Sequence, residues 1–223
     1  MFEAVIFDWD GTLADTRNAI VVSFQKALKE ISLQVPDEYI ERRIGIGASE
    51  TFREILRGAN RKVDEKVVKQ LVEQKSKVQI QLANNVELFE GAKELLEALH
   101  GKVKVGLASM NSRTVVMHLL KIKNIAECFD VSLTVEAVSH SKPDPEIFLK
   151  TAEQLETKPH ACVVIEDSLF GVKAAKAAAM GCIAVTTGVY VERELAVEKP
   201  HLIVKSLNDH RILPLFYSKQ RLW

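Results

Sequence analysis

The amino-acid sequence predicts an α/β fold, with a parallel sheet that has helices on both faces and a helical domain inserted near its start. Three observations predict it. A short apolar run opens the chain, residues 16–85 are polar with helical periodicity and no convincing strand, and from residue 86 onward apolar runs alternate with helical segments. Such alternation is typical of parallel strands joined by right-handed crossovers. We therefore expect a core domain of residues 1–15 and 86–223 and an α-helical domain of residues 16–85.

The first predicted strand is Ala4–Phe7, a run rich in β-branched and aromatic residues. Runs of this kind are typical of a strand buried on both faces of a parallel sheet. Asp8, Asp10, Gly11 and Thr12 follow the strand, and Gly11 allows the backbone to turn and expose its amide groups. Two carboxylates this close repel each other unless a cation offsets the repulsion, and a hard divalent cation suits them. An acidic turn without any ligand would also explain these residues.

Residues 16–85 contain four helical segments. In the first segment, apolar residues recur at helical spacing: Ile20, Phe24, Ala27, Leu28 and Ile31. A second segment begins after Pro36, and the remaining two span residues 48–57 and 63–82. Gly45 and Gly47 interrupt the pattern between the second and the third segment. The four segments predict a small four-helix bundle.

From residue 86 the pattern predicts repeated strand and helix pairs. The predicted strands are 103–109, 131–135, 161–166, 182–186 and 201–204, and the predicted helices are 91–99, 112–121, 145–155 and 171–180. Ligands of such sheets bind at the carboxyl ends of the strands. Polar residues end three of the predicted strands, namely Asp8, Ser109 and the pair Glu166-Asp167. We expect these residues to meet in one crevice.

Composition disfavours several kinds of partner. The chain of 223 residues has 30 Lys and Arg and 30 Asp and Glu, so its formal net charge is zero and nothing favours nucleic acid or an anionic membrane. The apolar runs are short and no basic leader is present, so we expect no membrane span, no signal peptide and a cytoplasmic location. Cys128, Cys162 and Cys182 are widely spaced, and we expect reduced core residues rather than a zinc site.

The segment 212–223 is apolar enough to pack on the core. Four residues carry this expectation: Leu213, Leu215, Phe216 and Trp223. Packing on the core is favoured over an oligomer contact, because single surface hydrophobes are ordinary. We therefore expect a monomer or a weak homodimer.

Asp-Trp-Asp-Gly-Thr at residues 8–12, Ser109, Lys142 and Glu166-Asp167 together resemble the four motifs of the haloacid dehalogenase-like superfamily. The helical insertion after the first motif is similar to that of the subfamily with an α-helical cap, which includes phosphoglycolate phosphatases and β-phosphoglucomutases. The resemblance implies a Rossmann-like core and a cap formed by residues 16–85. It also implies a magnesium-dependent phosphatase that hydrolyses a small phosphorylated metabolite.

The resemblance implies a role for each matching residue. Asp8 is the expected nucleophile, which forms an aspartyl phosphate, and Asp10 is the expected general acid and base. Lys142 is expected to neutralise the phosphoryl group and Asp8. The expected phosphate-binding residues are Gly11, Thr12, Ser109, Met110, Asn111 and Lys142. The expected magnesium ligands are Asp8, the main-chain carbonyl of Asp10, Asp167 and, directly or through the outer shell, Glu166.

Single members of this set also have ordinary explanations. A lone serine at position 109 could cap a helix, a loop lysine such as Lys142 is usually a solvated charge, and Asp167-Ser168 could cap a helix that begins at Gly171. The cap is expected to close over the crevice, with hinges near residues 14–16 and 84–87 and with residues 44–49 facing the substrate.

Three alternatives remain open. A β-phosphoglucomutase-like enzyme would have a histidine where this chain has Ile20 and an arginine where it has Ala48, and three nearby arginines could replace the latter: Arg42, Arg43 and Arg53. A receiver-type signalling domain would carry its phosphorylated aspartate after a central strand and would lack the cap. A catalytically idle phosphate-binding or interaction protein is the third. Asp10 favours phosphate-ester chemistry, because related dehalogenases and phosphonatases lack an acid at that position.

Overall fold

Eight strands and ten α-helices are present in residues 1–217, the part of the chain that the computed structural model describes. In chain order they are β1 (Ala4–Phe7), β2 (Ala14–Asp15), α1 (Arg17–Lys29), α2 (Asp37–Glu41), α3 (Ala48–Gly58), α4 (Glu65–Gln81), β3 (Glu87–Leu88), α5 (Ala92–Leu99), β4 (Lys104–Ala108), α6 (Arg113–Ile122), β5 (Val131–Leu133), α7 (Glu146–Gln154), β6 (Cys162–Glu166), α8 (Leu169–Ala177), β7 (Gly181–Val185), α9 (Glu192–Val197), β8 (Leu202–Val204) and α10 (Pro214–Tyr217).

Six strands form one parallel sheet in the order β5-β4-β1-β6-β7-β8. β1 lies between β4 and β6, and Phe7 is in register with Leu107 of β4 and Ile165 of β6. All three strands therefore end at the same edge of the sheet, and the residues that follow them come together there. The predicted α/β fold class is confirmed.

Side chains of β1 alternate between two apolar cores, one on each face of the sheet. Val5 and Phe7 belong to one core, and Ala4 and Ile6 belong to the other. All four are fully buried, as expected of a central strand in a parallel sheet. Burying each of the larger apolar side chains contributes about 1.5–3 kcal/mol to folding, so β1 is firmly fixed where the polar residues begin.

Helices α1 to α4 form the predicted cap around a third apolar core. Phe24 of α1 and Phe52 of α3 lie in it with their ring centroids 4.6 Å apart, and Leu71 of α4 is buried beside them. The two connections to the sheet domain are β2 and β3, which pair antiparallel. This two-stranded ribbon is absent from the sequence prediction because strands of two residues leave no periodic pattern. The domain boundaries at residues 16 and 85 remain predictions.

Several predicted elements differ from the structure at their ends. Predicted strand 131–135 stops at Leu133, because residues Val135–Ala137 form a 3₁₀ turn. The helix predicted from Gly171 begins at Leu169, since the Ser168 side chain caps it by accepting a hydrogen bond from the Gly171 N–H. Helix α9 is not predicted, because it is short and only Leu195 of it is buried.

The chain end and the cysteines agree with packing in the core. Leu215 and Phe216 are buried in the core cluster and Leu213 packs against it, while Trp223 lies outside the described residues. Cys162 and Cys182 are buried among apolar side chains. Among the helices of residues 1–217, none has both the length and the apolar character needed to cross a membrane.

Candidate active site

The predicted site residues converge at the carboxyl edge of the sheet. Asp8 follows β1, Glu166 ends β6 and Asp167 follows it, while Lys142 lies in the loop before α7. All four side chains are buried. Burial of four ionisable groups is costly unless they are paired or bind a ligand, so their arrangement indicates a functional site.

Lys142 bridges two carboxylates. Its Nζ donates to Asp8 Oδ1 at 2.6 Å, to Glu166 Oε1 at 2.8 Å and to the carbonyl oxygen of Ala108 at 3.1 Å. The other oxygen of Glu166 accepts from the N–H and the hydroxyl of Ser168, at 2.8 and 2.9 Å. Both Glu166 oxygens are therefore engaged by protein donors, and Lys142 is a buried, paired cation rather than a solvated loop charge.

The electrostatics of the cluster follow from burial. Burial raises the pKa values of Asp8 and Asp167 well above their usual range, and the charge of Glu166 raises both further, although Lys142 opposes the shift. Burial lowers the pKa of Lys142, but the adjacent Asp8 and Glu166 outweigh this effect and raise the pKa above its usual value. The ammonium group therefore stays charged at neutral pH.

The carboxylates fit a divalent metal ion. One oxygen each of Asp8, Glu166 and Asp167 lies within 4.8 Å of the others. Three buried carboxylates face the single ammonium group of Lys142, which leaves two negative charges without a partner when all three are ionised. Carboxylate oxygens are the ligands that Mg²⁺ prefers. The donor set and its excess charge therefore suit one divalent cation.

Asp167 is tightly enclosed on the side that faces the turn after β1. The Thr12 hydroxyl donates to Asp167 Oδ1 at 2.9 Å. A Cβ atom at Gly11 or at Gly188 would lie only 2.4 or 1.8 Å from Asp167 Oδ2. Gly11 also has a φ of +90°, which side chains rarely permit. Glycine at these two positions allows the backbone to approach the Asp167 carboxylate.

Asp10 lies apart from this cluster, in a second environment. The amide of Asn111 donates from Nδ2 to both carboxylate oxygens, each at 3.2 Å, and the Ser109 hydroxyl lies 3.5 Å from Oδ2. Burial raises the pKa of Asp10, whereas the positive charge of Lys75 and the hydrogen bond from Asn111 oppose the shift. A buried carboxyl group with a raised pKa is suited to holding and releasing a proton near neutral pH.

The predicted phosphate-binding residues lie beside the carboxylates of Asp167 and Asp10. Gly11 and Thr12 form the turn beside Asp167, and Ser109, Met110 and Asn111 lie at the end of β4 beside Asp10. The Gly11 N–H donates to the carbonyl of Ala14 at 3.0 Å, and the Asn111 N–H donates to the Ser109 hydroxyl at 3.1 Å. Their role as phosphate ligands remains a prediction.

The sequence prediction missed Lys75, which α4 of the cap brings to Asp10. Its side chain is buried, and Nζ donates to Asn111 Oδ1 at 2.9 Å and to Gln79 Oε1. Burial lowers the pKa of Lys75 to about 8. The available signal was its position between Leu71 and Val78 on the apolar face of α4, where a lysine is unexpected.

A small cavity of about 30 Å³ separates the cap from these residues. Cap side chains form most of its wall: Ile20, Phe24, Ile40, Arg43, Ile44, Ala48, Thr51 and Lys75. Asp8, Asp10 and Asn111 line the core side. A larger cavity of about 550 Å³ lies near the start of β7, remote from the carboxylates. The small cavity is the candidate substrate pocket, because it contains the reactive groups.

Comparison with known proteins identifies the family. Residues 5–185 match the family model described as haloacid dehalogenase-like hydrolase. The chain belongs to this family and is an enzyme of its hydrolase class. The predicted resemblance is thereby confirmed.

Three relatives show the range of activities among similar proteins. The chain is 29% identical to the phosphorylated carbohydrates phosphatase of Thermotoga maritima over 213 residues, which cover 95% of this chain and 89% of the relative. It is 31% identical to the β-phosphoglucomutase of Bacillus subtilis over 192 residues, with 83% and 84% covered. The crystal structure of a β-phosphoglucomutase from Clostridium difficile matches with a TM-score of 0.81 at 29% identity, covering 96% of each chain.

Proposed function

We propose that the protein is a magnesium-dependent phosphatase that hydrolyses a small phosphorylated metabolite through an aspartyl phosphate on Asp8. The observation that carries the proposal is the separation of two buried aspartates into two environments. Asp8 contacts Lys142 and belongs to the carboxylate cluster that fits a metal ion, whereas Asp10 contacts Asn111. One carboxylate is thus arranged to attack phosphorus and the other to transfer protons.

Asp8 is the nucleophile in this proposal. The contact with Lys142 fixes its carboxylate and offsets negative charge where a phosphoryl group would approach. Asp8, Asp167 and the main-chain carbonyl of Asp10 would hold magnesium, which when bound neutralises charge on the phosphoryl oxygens. Glu166 would bind the metal directly or through the outer shell, and its two oxygens also orient Lys142 and Ser168.

Asp10 is the general acid and base. Its raised pKa favours the protonated carboxyl group, which donates the proton to the leaving alkoxide as the bond to phosphorus breaks. The resulting carboxylate then removes a proton from the water molecule that attacks the aspartyl phosphate. The hydrogen bonds from Asn111 hold the group in place between the two steps.

The pocket favours a phosphatase over a mutase. Ile20 and Ala48, where mutases carry histidine and arginine, both line the cavity. The three arginines that could compensate are all engaged: Arg42 with Glu194, Arg43 with Glu54, and Arg53 with Glu50 and Glu65. The mutase remains the second candidate, because two relatives carry that name.

A panel of phosphate esters tests the proposal. The panel contains p-nitrophenyl phosphate, phosphoglycolate, sugar phosphates and β-glucose 1-phosphate, each with magnesium and with chelator, and free phosphate and isomer are measured separately. We expect metal-dependent release of free phosphate from at least one ester. Glucose 6-phosphate formed without free phosphate would instead identify a mutase. The expected cytoplasmic location and the monomer or weak homodimer remain predictions.

A further inference from the structure

One group of contacts joins the cap to the sheet domain through Arg42, at the C-terminal end of α2. Its guanidinium group binds the carboxylate of Glu194 on α9 twice, with Nη2 to Oε1 at 2.5 Å and Nη1 to Oε2 at 3.2 Å. The same group stacks on the ring of Tyr190, 4.4 Å from its centroid. The Tyr190 hydroxyl donates to the carbonyl oxygen of Arg42 at 2.7 Å. We call Arg42, Tyr190 and Glu194 the cap clamp.

The cap clamp differs from the other salt bridges of the cap. Four further cap arginines pair with glutamates of the cap itself: Arg17, Arg43, Arg53 and Arg57. Among the salt bridges found in residues 1–217, the one between Arg42 and Glu194 crosses from the cap to the sheet domain. This salt bridge therefore links the cap directly to the sheet domain.

The acceptor side of the clamp also has contacts within the sheet domain. Glu194 also accepts a hydrogen bond from the Val191 N–H at 3.0 Å, at the start of α9. Tyr190 is only 4% exposed, so its ring is held by packing. Exposed ion pairs usually contribute little, because two flexible side chains must be ordered together. Here the Val191 N–H already restricts Glu194, and the planar group of Arg42 suits both the stacking and the two-point hydrogen bonding.

The clamp connects two loops of the candidate active site. On the cap side, Arg42 is followed by the loop 43–47, which lines the candidate substrate pocket. A Cβ atom at Gly45 in this loop would lie 2.9 Å from the Ser168 hydroxyl. On the core side, Tyr190 lies three residues after Thr187, and the Thr187 hydroxyl donates to the carbonyl of Gly11 at 2.6 Å. The clamp thus joins the cap loop that follows Arg42 to residues 187–190, which contact the turn after β1.

We propose that Arg42 is a positioning residue, which by binding Tyr190 and Glu194 holds the loop 43–47 over the carboxylates when the cap is closed. Its kinetic consequence rests on the proposed function. Arg42 does not reach the reacting groups, so it acts through the fraction of molecules with a closed cap. Loss of the clamp should reduce this fraction, and kcat/KM should fall in proportion, by roughly tenfold if the closed fraction falls tenfold.

Hydrogen exchange in the full chain tests the clamp without any substrate. Arg42→Ala and Glu194→Gln should both speed amide exchange in residues 43–48 and 187–191 several-fold and leave the central strands unchanged. Glutamine keeps an acceptor for the Val191 N–H, so α9 should remain intact. Arg57→Ala is the matched control, because it removes a cap arginine whose salt bridge with Glu50 stays within the cap.

Kinetic measurements with the ester that the wild type hydrolyses with the highest kcat/KM test the predicted effect on catalysis. Arg42→Ala should lower kcat/KM about tenfold, the double variant with Glu194→Gln should be no worse, and Arg42→Lys should restore only part of the loss. The proposal is overturned if Arg42→Ala matches the wild type and Arg57→Ala in both exchange and kcat/KM. Exchange also tests the clamp if the wild type hydrolyses no ester, so its failure and that of the proposed function are distinguishable.

Discussion

Asp8 and Asp10 are two residues apart, yet they differ in what surrounds them. Asp8 is paired with a lysine whose pKa is raised, so a cation always stands beside it. Asp10 has an amide donor as its direct partner, while burial raises the pKa of both carboxyl groups. Different surroundings give neighbouring carboxyl groups different roles, and on this ground we propose Asp8 as the nucleophile and Asp10 as the group that transfers protons.

Replacing Asp10 tests that assignment at the scale of one residue. Asp10→Asn keeps the shape of the side chain but cannot transfer a proton, so turnover of an alkyl phosphate should fall by about 10²- to 10⁴-fold. An activated aryl ester needs little protonation of its leaving group, so its turnover should fall less in the step that forms the aspartyl phosphate. The ratio of kcat/KM for the two esters in the variant and in the wild type measures the difference. An equal loss for both esters would contradict the general-acid role.

Which site residues could be predicted follows from their place in the chain. Asp8 and Asp167 follow apolar strands, Glu166 ends one, and Lys142 lies in a recognisable motif, so local sequence was sufficient to single them out. Lys75 lies 67 residues after Asp8 and 65 after Asp10 in sequence, and only the packing of α4 brings it to Asn111. Contacts that depend on tertiary packing leave little trace in local periodicity.

At the scale of one element, α4 carries a buried charge on its apolar face. Lys75 is hydrogen-bonded to the amide oxygens of Gln79 and Asn111, whereas in residues 1–217 the Gln79 Nε2 atom has no hydrogen-bond partner. Desolvation of the ammonium group destabilises the fold, as the lowered pKa of Lys75 indicates. We therefore expect this position to trade stability for the placement of Asn111 beside Asp10.

Lys75→Met tests this trade. The pKa of Lys75 is lowered from 10.5 to about 8 in the folded protein, so between these values the unfolded chain binds the additional proton. The free energy of unfolding of the wild type should therefore rise with pH in this window, by up to about 3 kcal/mol. The variant lacks this contribution. It should have its largest stability advantage over the wild type near pH 7, and lower activity because Asn111 is less well held.

Urea denaturation of both proteins at several pH values between 6 and 10.5 measures the difference. The difference in unfolding free energy should shrink across the window from pH 8 to 10.5. A difference that does not change with pH would contradict the burial of a charged lysine at this position. Arg57→Ala is a control, because its exposed side chain should show no such pH dependence.

At the scale of the whole molecule, the sequence predicted the two domains but not their contacts. The change from helical segments to repeated strand and helix pairs near residue 86 predicts both domains, because each pattern has its own period. The ribbon of β2 and β3 and the cap clamp depend on which surfaces meet. Arg42 appeared in the sequence only as a possible mutase substitute, whereas the structure pairs it with residues about 150 positions away.

The measurement that tests the central claim most directly is trapping of the phosphorylated enzyme. The wild type and Asp8→Asn are mixed with magnesium and a ³²P-labelled ester from the panel, quenched in acid within one turnover, digested and mapped by peptide. We expect label on the peptide that contains residue 8 in the wild type and none in the variant, which should also lose turnover. Turnover by the wild type without any labelled peptide, or retained hydrolysis by Asp8→Asn, would contradict an aspartyl phosphate on Asp8.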